Sequence, residues 1–323
     1  MDEARAFWVV SPNRGEIRAQ RLHSREAGDV LIHARASAIS RGTETLVFRG
    51  EVPPSEWQRM RCPFQEGEFS APVKYGYAVA GIVEEGPGEF CGRRVFCLHP
   101  HQDRFIVPQD AVVAIPDDVP DRRATLAANM ETAINGLWDG MPGPGDRIAV
   151  VGAGVVGALV GALAARLPGT EVELIDIDPT RAALASALGC GFAPPQQARD
   201  EADLVIHASG TPDGLATALS IAGFEATVLE MSWYGTRIVP VVLGGAFHSR
   251  RLTLRSSQVG SVPACRRGRW SRRRRLALAL SLLRDPIYEQ LLSGESHFDE
   301  LPELMRVLAA SPAGVLCHTV RYD

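Results

Sequence analysis

Ile148–Asp178 reads IAVVGAGVVGALVGALAARLPGTEVELIDID and contains the most informative pattern in the chain. The apolar run Ile148–Val151 has the length of a strand buried on both faces, and a GxGxxG motif follows it directly. The small apolar residues Val155–Leu167 predict a helix packed closely on a sheet, and Pro168-Gly169 ends it. A second strand is predicted at Val172–Ile177. This order of strand, glycines, helix and strand predicts a βαβ unit with parallel strands.

Each glycine of the motif has its own physical role. Gly152 allows a tight turn, Gly154 lets the backbone approach a pyrophosphate, and Gly157 lets the helix lie close to the strand. Asp176 follows the motif by about 20 residues, where an acid accepts hydrogen bonds from ribose hydroxyls and repels a 2′-phosphate. The pattern therefore predicts a dinucleotide site that prefers NAD to NADP. The alternative is a buried βαβ unit whose glycines serve packing alone.

Other cofactor contacts are predicted at the start of the helix, on the helix before the first strand, and in the loops that follow later strands. Ligands of open parallel sheets bind beyond the carboxyl ends of the strands. These predicted contacts are Val155, Val156, Thr132, Ser209, Gly210, Ser257 and Gln258.

Length and composition indicate a globular protein of two domains. The chain has 323 residues and a formal net charge of −4, which gives no general attraction to nucleic acid. No apolar stretch reaches the ~20 residues that span a bilayer, and the start MDEARAFWVV does not resemble a signal peptide. The six cysteines are scattered, as in reduced cytoplasmic proteins. We therefore expect a cytoplasmic protein without nucleic-acid or membrane partners.

The stretch Arg266–Arg275 contains seven arginines and is a local cluster of positive charge. A solvated helix start is the favoured interpretation, and a surface for an anionic substrate or nucleic acid is the alternative. Around the βαβ unit, the chain predicts a β-rich domain over residues 1–128, a doubly wound α/β domain over 129–261, and a C-terminal segment over 262–323 that rejoins the first domain.

Three short motifs occur in an order that a known family shares. Gly76–Val83 corresponds to G-H-E-x-x-G-x-V, Gly92–Val95 to G-D-R-V, and Thr132-Ala133 to the T-A pair before the nucleotide domain. Over essentially its whole length, the chain resembles the medium-chain dehydrogenase/reductase superfamily of the alcohol dehydrogenase type. The resemblance implies a GroES-like β-rich barrel domain, a Rossmann domain, hydride transfer with a nicotinamide cofactor, and a homodimer.

The zinc ligands of that family do not carry over. Its three ligand positions are Ser40, Tyr77 and Ala128 here, and the four-cysteine structural zinc lobe is absent. Catalytic zinc needs three nitrogen, sulfur or carboxylate ligands, so neither a catalytic nor a structural zinc is predicted. The segment Ile39–Glu44 and the Gly76-Tyr77 pair are similar to a zinc-free subgroup that includes bacteriochlorophyllide hydroxyethyl dehydrogenases.

Without zinc, a side chain must exchange the proton of the alcohol or carbonyl. Tyr77 is the first candidate, because the resemblance places its phenol at the emptied metal position; the alternative is an aromatic ring that fills space. His99 and His101 are next, with Asp103 as a carboxylate that could orient one of them; the alternative is a surface loop.

Ser40, Thr43 and Glu44 are expected to face the same cleft, although Ser-Arg-Gly-Thr is also good turn material. Glu131 could serve near the third ligand position, or could be a helix N-terminal acid without a function. Together these observations predict a zinc-independent, NAD-linked oxidoreductase that interconverts an alcohol and a carbonyl on a small-molecule substrate. The alternatives are an NADPH-dependent quinone or enoyl reductase of the same superfamily and a non-catalytic nucleotide-binding protein.

Overall fold

The computed structural model describes residues 3–310 and 314–323. The predicted first and third segments, 1–128 and 262–323, include residues 1, 2 and 311–313, which lie outside the described residues. The chain forms two compact units, which we name the barrel unit (Met1–Ala128 and Leu276–Asp323) and the Rossmann unit (Asn129–Arg275).

The bounds of the regular elements are as follows. The strands are β1 Glu3–Ser11, β2 Arg14–Arg21, β3 Asp29–Ile39, β4 Glu66–Gly67, β5 Val73–Lys74, β6 Val79–Glu85, β7 Arg94–Cys97, β8 Arg104–Pro108, β9 Val112–Ala114, β10 Arg147–Val151, β11 Glu171–Ile175, β12 Gly191–Ala193, β13 Ala202–His207, β14 Ala222–Glu230, β15 Thr253–Ser256, β16 Leu292–His297 and β17 Cys317–Arg321. The helices are α1 Arg41–Phe48, α2 Asp121–Ala124, α3 Ala127–Gly140, α4 Val155–Ala164, α5 Arg181–Ala187, α6 Pro212–Ile221, α7 Ala264–Arg267, α8 Arg272–Leu282 and α9 Leu301–Ala310.

The Rossmann unit contains a parallel sheet in the order β12-β11-β10-β13-β14-β15. This is the strand order of a dinucleotide-binding doubly wound fold, with the first strand in the middle. Helix α4 buries its small residues against the sheet, and a Cβ on Gly161 would meet the Leu174 side chain. Small residues are needed on this face because helix and sheet approach so closely.

The Rossmann unit continues beyond the predicted boundary at residue 261, as far as Arg275. A buried ion pair connects this segment to the rest of the unit: Arg275 Nε lies 2.9 Å from Glu131 Oε1, and both side chains are almost fully buried. The same guanidinium donates to the Asn135 side chain and to the Val259 carbonyl. These bonds fix Arg275 to α3, which the charge pattern of the sequence does not reveal.

The barrel unit contains a sheet in the order β16-β17-β3-β6-β7-β9, with β8 also paired to β3, and a small sheet in the order β2-β1-β5-β4. The C-terminal strand β17 is antiparallel to β3, with Val320 opposite Ser37. The predicted return of the C-terminus to the first domain is therefore confirmed. None of the described helices is both long and apolar enough to cross a membrane.

The main difference from prediction is the segment after β3, which forms helix α1 instead of a turn. Its last residues Leu46, Val47 and Phe48 are buried, so tertiary packing stabilises a short helix that local sequence does not favour. The helical segment before β10 consists of two helices, α2 and α3.

Candidate active site

A chain of buried polar side chains connects β3, α1, the loop before β8 and the residue after β17 in the barrel unit. His101 Nε2 lies 2.9 Å from Glu44 Oε2, and His101 Nδ1 lies 2.7 Å from Ser37 Oγ. Ser37 Oγ in turn lies 2.9 Å from the Tyr322 hydroxyl. Ser37, Glu44 and His101 are each at most 3% exposed. Buried polar groups that are this fully paired form a rigid arrangement.

The donors and acceptors of this chain have one consistent assignment for a neutral imidazole. The Glu44 carboxylate only accepts, so His101 Nε2 carries the proton and Nδ1 accepts from the Ser37 hydroxyl. The Tyr322 hydroxyl then donates to Ser37. Burial is the main cause that raises the pKa of Tyr322 well above its usual value, which keeps the phenol protonated as this donor role requires.

The local backbone brings Glu44 and His101 together. Ser40 precedes α1, and its N–H donates to Glu44 Oε1 at 2.8 Å, which leaves Oε2 for the histidine. Gly76 has φ +138°, and a Cβ there would lie 2.9 Å from His101 Cδ2. Glycine is therefore required at this position for two reasons, its backbone conformation and the closeness of the imidazole.

Tyr77 lies beside this hydrogen-bonded chain of polar side chains. Its phenol is in hydrogen-bond contact with the side chains of Ser40 and Thr43, at the start of α1. Burial and the nearby Glu44 charge raise the pKa of Tyr77 well above its usual value, although the two hydroxyls act in the opposite direction. Tyr77 is consequently a neutral phenol at physiological pH and can donate a hydrogen bond to an oxygen.

Of the predicted catalytic residues, the structure brings Ser40, Thr43, Glu44, Tyr77 and His101 together and places His99 apart from them. The His99 ring stacks on Phe105 with centroids 3.8 Å apart, and its Nδ1 pairs with the Pro100 carbonyl. Burial, helped by the Lys74 charge, lowers the pKa of His99 to about 3. His99 is thus a neutral core ring.

The predicted role of Asp103 was wrong. Asp103 accepts hydrogen bonds from the backbone N–H and the guanidinium of Arg5, and Glu44 binds the histidine instead. The interpretation of the histidine segment as a surface loop was also wrong, because His99 and His101 are both buried. Asp103 follows His101 closely in sequence, but the register of β1 and its neighbouring loop directs it to Arg5.

The three residues that the resemblance aligns with the family's zinc ligands differ in chemistry from those ligands. An alcohol, a phenol and a methyl group at Ser40, Tyr77 and Ala128 are not a donor set for zinc. Across residues 3–310 and 314–323, no three His, Cys, Asp or Glu residues come together in a way that could hold an ion.

In the Rossmann unit, the glycine motif leaves an open cradle at the start of α4. Gly152 has φ +105°, and a Cβ there would lie 2.6 Å from the Ser209 backbone nitrogen. A Cβ on Gly157 would overlap the Gly152 carbonyl, whereas around Gly154 there is open space. Val155 and Val156 begin α4 and are partly exposed. These residues fit a pyrophosphate at the N-terminus of the helix.

Asp176 follows β11 and is held firmly in place. Its Oδ2 accepts from the Ala153 N–H at 2.7 Å, and its Oδ1 accepts from the Asp178 N–H at 2.9 Å. Each carboxylate oxygen keeps a further lone pair, so the side chain can still accept from ribose hydroxyls.

The other predicted cofactor contacts lie at the same carboxyl edge or on α3. Ser209 and Gly210 follow β13, and the Ser209 hydroxyl bonds His207 and Thr211. Ser257 follows β15 and donates to Asp139, while Thr132 lies on α3. The Gln258 side chain accepts from the Gly260 N–H, which turns it back on its own loop.

Sequence reasoning missed Ser37 and Tyr322 in the barrel unit and His207 and Glu230 in the Rossmann unit. Ser37 and Tyr322 are separated by 285 residues, and only the pairing of β17 with β3 joins them. His207 and Glu230 end two strands that prediction placed in the sheet, so a polar residue at the end of each strand was the available signal.

A GroES-like barrel combined with a Rossmann unit is the architecture of the medium-chain alcohol dehydrogenases. L-idonate 5-dehydrogenase from Escherichia coli has a similar fold, with a TM-score of 0.81, 15% identity, and coverage of 99% of this chain and 98% of that one. A Sinorhizobium meliloti protein described as a zinc-binding dehydrogenase and bound to NADP gives a TM-score of 0.78, 18% identity, and coverage of 99% and 100%. At these identities the likeness concerns the fold.

No family model matches the sequence. The chain is 35% identical over 234 residues to an L-threonine 3-dehydrogenase from Mesorhizobium japonicum, a match that spans 63% of this chain and 65% of that protein. It is 29% identical over 232 residues to an L-threonine 3-dehydrogenase from Chelativorans, with the same two coverages. The match thus spans slightly less than two thirds of these relatives. Together with the fold, these similarities support the medium-chain dehydrogenase/reductase superfamily.

Proposed function

We propose that this protein is a zinc-independent, nicotinamide-linked oxidoreductase that interconverts an alcohol and a carbonyl on a small-molecule substrate. One observation carries the proposal: the buried chain Glu44–His101–Ser37–Tyr322 lies beside Tyr77, the residue that the sequence resemblance aligns with a family zinc ligand. A proton-handling network of side chains at that place supplies what a metal-bound oxygen supplies elsewhere.

The Rossmann unit supports a nicotinamide cofactor, and we propose NAD as the preferred form. Gly152, Gly154 and the start of α4 would hold the pyrophosphate, and Asp176 would bind the adenosine ribose. A fixed carboxylate at that position disfavours a 2′-phosphate by charge repulsion. When bound, the nicotinamide ring accepts a hydride from an alcohol or gives one to a carbonyl.

The side chains of the barrel unit would handle the accompanying proton. Tyr77, which its raised pKa keeps protonated, would donate a hydrogen bond to the substrate oxygen. Ser40 and Thr43 would exchange a proton with this phenol, and the nearby Glu44 carboxylate, bonded to His101, would stabilise the positive charge that develops. In alcohol oxidation the proton moves away from the substrate oxygen, and in carbonyl reduction it moves towards it.

The relatives that the chain matches are named as dehydrogenases of an alcohol group, which favours this reaction over reduction of an activated double bond.

We also propose that the protein is a homodimer, which light scattering after size exclusion tests.

The proposal is tested with the purified protein in three steps. Metal analysis is expected to find no stoichiometric zinc, and fluorescence titration is expected to give tighter binding of NADH than of NADPH. A panel of secondary alcohols, polyols and L-threonine is then screened for NAD reduction. Stoichiometric zinc would contradict the zinc-free mechanism. If the protein binds neither cofactor, the assignment as an oxidoreductase is wrong.

The residue roles are tested by Tyr77→Phe with Tyr75→Phe as the matched control. The two rings contact each other with centroids 5.9 Å apart, but hydrogen bonds to Ser40 and Thr43 belong to Tyr77. We expect turnover to fall by about a hundredfold in Tyr77→Phe, the usual size of a general acid–base contribution, and to be retained in the control. The non-catalytic alternative would be supported if the protein binds the cofactor, turns over no alcohol or carbonyl, and binds the cofactor equally well as Tyr77→Phe.

A further inference from the structure

A second buried histidine lies in the Rossmann unit, at the end of β13. The side chain of His207 is fully buried, and both of its ring nitrogens are paired. Nδ1 lies 2.7 Å from Glu230 Oε2, at the end of the neighbouring strand β14, and Nε2 lies 2.6 Å from Ser209 Oγ. His207 therefore links the ends of two adjacent parallel strands to the loop that follows the first of them.

The hydrogen bonds run in one direction through this network. For a neutral imidazole, the Glu230 carboxylate accepts from His207 Nδ1–H, and Nε2 then accepts from the Ser209 hydroxyl. Ser209 accepts from the Thr211 hydroxyl, which in turn accepts from the Gly214 N–H at the start of α6. The loop after β13 is thus connected bond by bond to the charge of Glu230.

Glu230 fixes the loop after β14 in the same way. It accepts from the Ser232 N–H at 2.7 Å and from the Tyr234 hydroxyl at 3.0 Å. The Gly210 N–H donates to Ser232 Oγ, which joins the two loops directly. Burial acts to raise the pKa of Glu230, but the bonds from His207 and Ser232 outweigh it and hold that pKa below the usual value. Glu230 is consequently ionised at neutral pH.

These two loops lie beyond the carboxyl ends of β13 and β14, the edge at which ligands bind in open parallel sheets. Asp176 marks the adenosine side, beyond β11, and β13 and β14 lie on the other side of β10. The Ser209 backbone touches Gly152, because a Cβ on that glycine would lie 2.6 Å from Ser209 N. Any shift of the loop after β13 therefore acts directly on the phosphate-binding turn.

We propose that His207 is a positioning residue for the cofactor: through Glu230 and Ser209 it holds the loops 208–211 and 231–234 in the arrangement that receives the nicotinamide half. This inference rests on the proposed nicotinamide site. It also gives Ser209 a different role from the one predicted, because its hydroxyl is used within the protein and only its backbone borders the cradle. A network that is already bonded lowers the cost of ordering the loops on binding.

The experiment is a titration of NADH fluorescence on the full-length chain, with melting temperature measured in parallel. His207→Gln can keep one of the two hydrogen bonds but not both, and Glu230→Gln removes the charge while keeping the shape. His248→Gln is the control, because His248 is an exposed histidine of the same unit. We expect the Kd for NADH to rise by about tenfold in the first two variants. Coupling between residues of one hydrogen-bond network typically has an effect of this size. The control is expected to match the unmodified protein.

A double variant separates positioning from simple stability. Ser209→Ala alone should weaken NADH binding, and His207→Gln added to it should cost little more, because both changes break the same connection. Gly214→Ala gives a further test, since a Cβ there would push against the Ser209 hydroxyl while removing no hydrogen-bonding group. It should also weaken binding.

The outcomes are distinct. If the unmodified protein binds NADH and the folded variants bind it equally well, the positioning role is wrong and the proposed function stands. If the variants only lower the melting temperature at unchanged Kd, the network is structural and the inference fails. If the unmodified protein binds neither NADH nor NADPH, the proposed function itself fails.

Discussion

His101 and Glu44 are 57 residues apart in the chain, yet His101 Nε2 lies 2.9 Å from Glu44 Oε2 in the interior of the barrel unit. Both side chains are at most 4% exposed. A carboxylate is seldom buried unless its oxygens are bonded, and here Oε1 is satisfied by the Ser40 N–H. The pair is therefore anchored at the start of α1, where Tyr77 also makes its hydrogen bonds.

Glu44→Gln tests whether this charge serves catalysis. The amide keeps the shape of the side chain and one of its two acceptor positions, but it cannot take up a proton. We expect turnover of the best alcohol from the screen to fall by about a hundredfold, with NADH affinity unchanged. Glu51→Gln, on the chain just after α1, is the control. Full turnover in Glu44→Gln would remove the carboxylate from the mechanism.

Asp176→Asn tests the preference for NAD. The substitution removes the charge that repels a 2′-phosphate and weakens the bonds to the ribose hydroxyls. We expect the Kd for NADH to rise by about tenfold and the Kd for NADPH to stay the same or fall. Fluorescence titration of both cofactors measures this. Asp178→Asn, which affects a carboxylate bonded to Thr180, serves as the control. Equal losses for both cofactors would contradict the assignment.

The lowered pKa of His99 leads us to expect that stability depends on pH. In the unfolded chain a histidine takes up a proton near pH 6.5, whereas folded His99 does so only near its lowered pKa of about 3. Protonation thus favours the unfolded state, and the free energy of unfolding should decrease as pH falls from about 6.5 towards 3. Urea unfolding between pH 7 and pH 4 measures this decrease.

The matched variant is His99→Phe, which preserves an aromatic ring against Phe105 and cannot be protonated. We expect its stability to decrease less steeply over the same range, by a difference of a few kcal/mol at pH 4. Parallel pH profiles for the two proteins would show that His99 is not the group responsible.

Arg275→Met should destabilise the Rossmann unit. It leaves Glu131 as a buried carboxylate without its partner, and removing one member of a buried pair costs about 3–5 kcal/mol. Burial, opposed by Arg275, already raises the pKa of Glu131. In the variant Glu131 should therefore be protonated, and the loss of stability should be smaller than for a buried charge. Urea unfolding measures the change. Arg269→Met, at an exposed arginine of the same stretch, should stay within about 0.5 kcal/mol of the unmodified protein.

The sequence by itself determined the Rossmann unit. Its strands, its glycine motif and Asp176 follow one another within a short stretch, so the pattern of apolar residues and turns is enough to place them. It also led to the prediction that the family's zinc ligands are replaced at Ser40, Tyr77 and Ala128, because the order of the motifs aligns those positions.

Only the tertiary structure decided which side chains meet. Helix α1 exists because its apolar residues are buried, Ser37 reaches Tyr322 because β17 pairs with β3, and Arg275 leaves the charged surface because Glu131 lies beneath it. These contacts join residues far apart in the chain, and their energies depend on burial and on complete hydrogen bonding. Local sequence patterns carry no record of either, so the buried polar network became visible only in the folded chain.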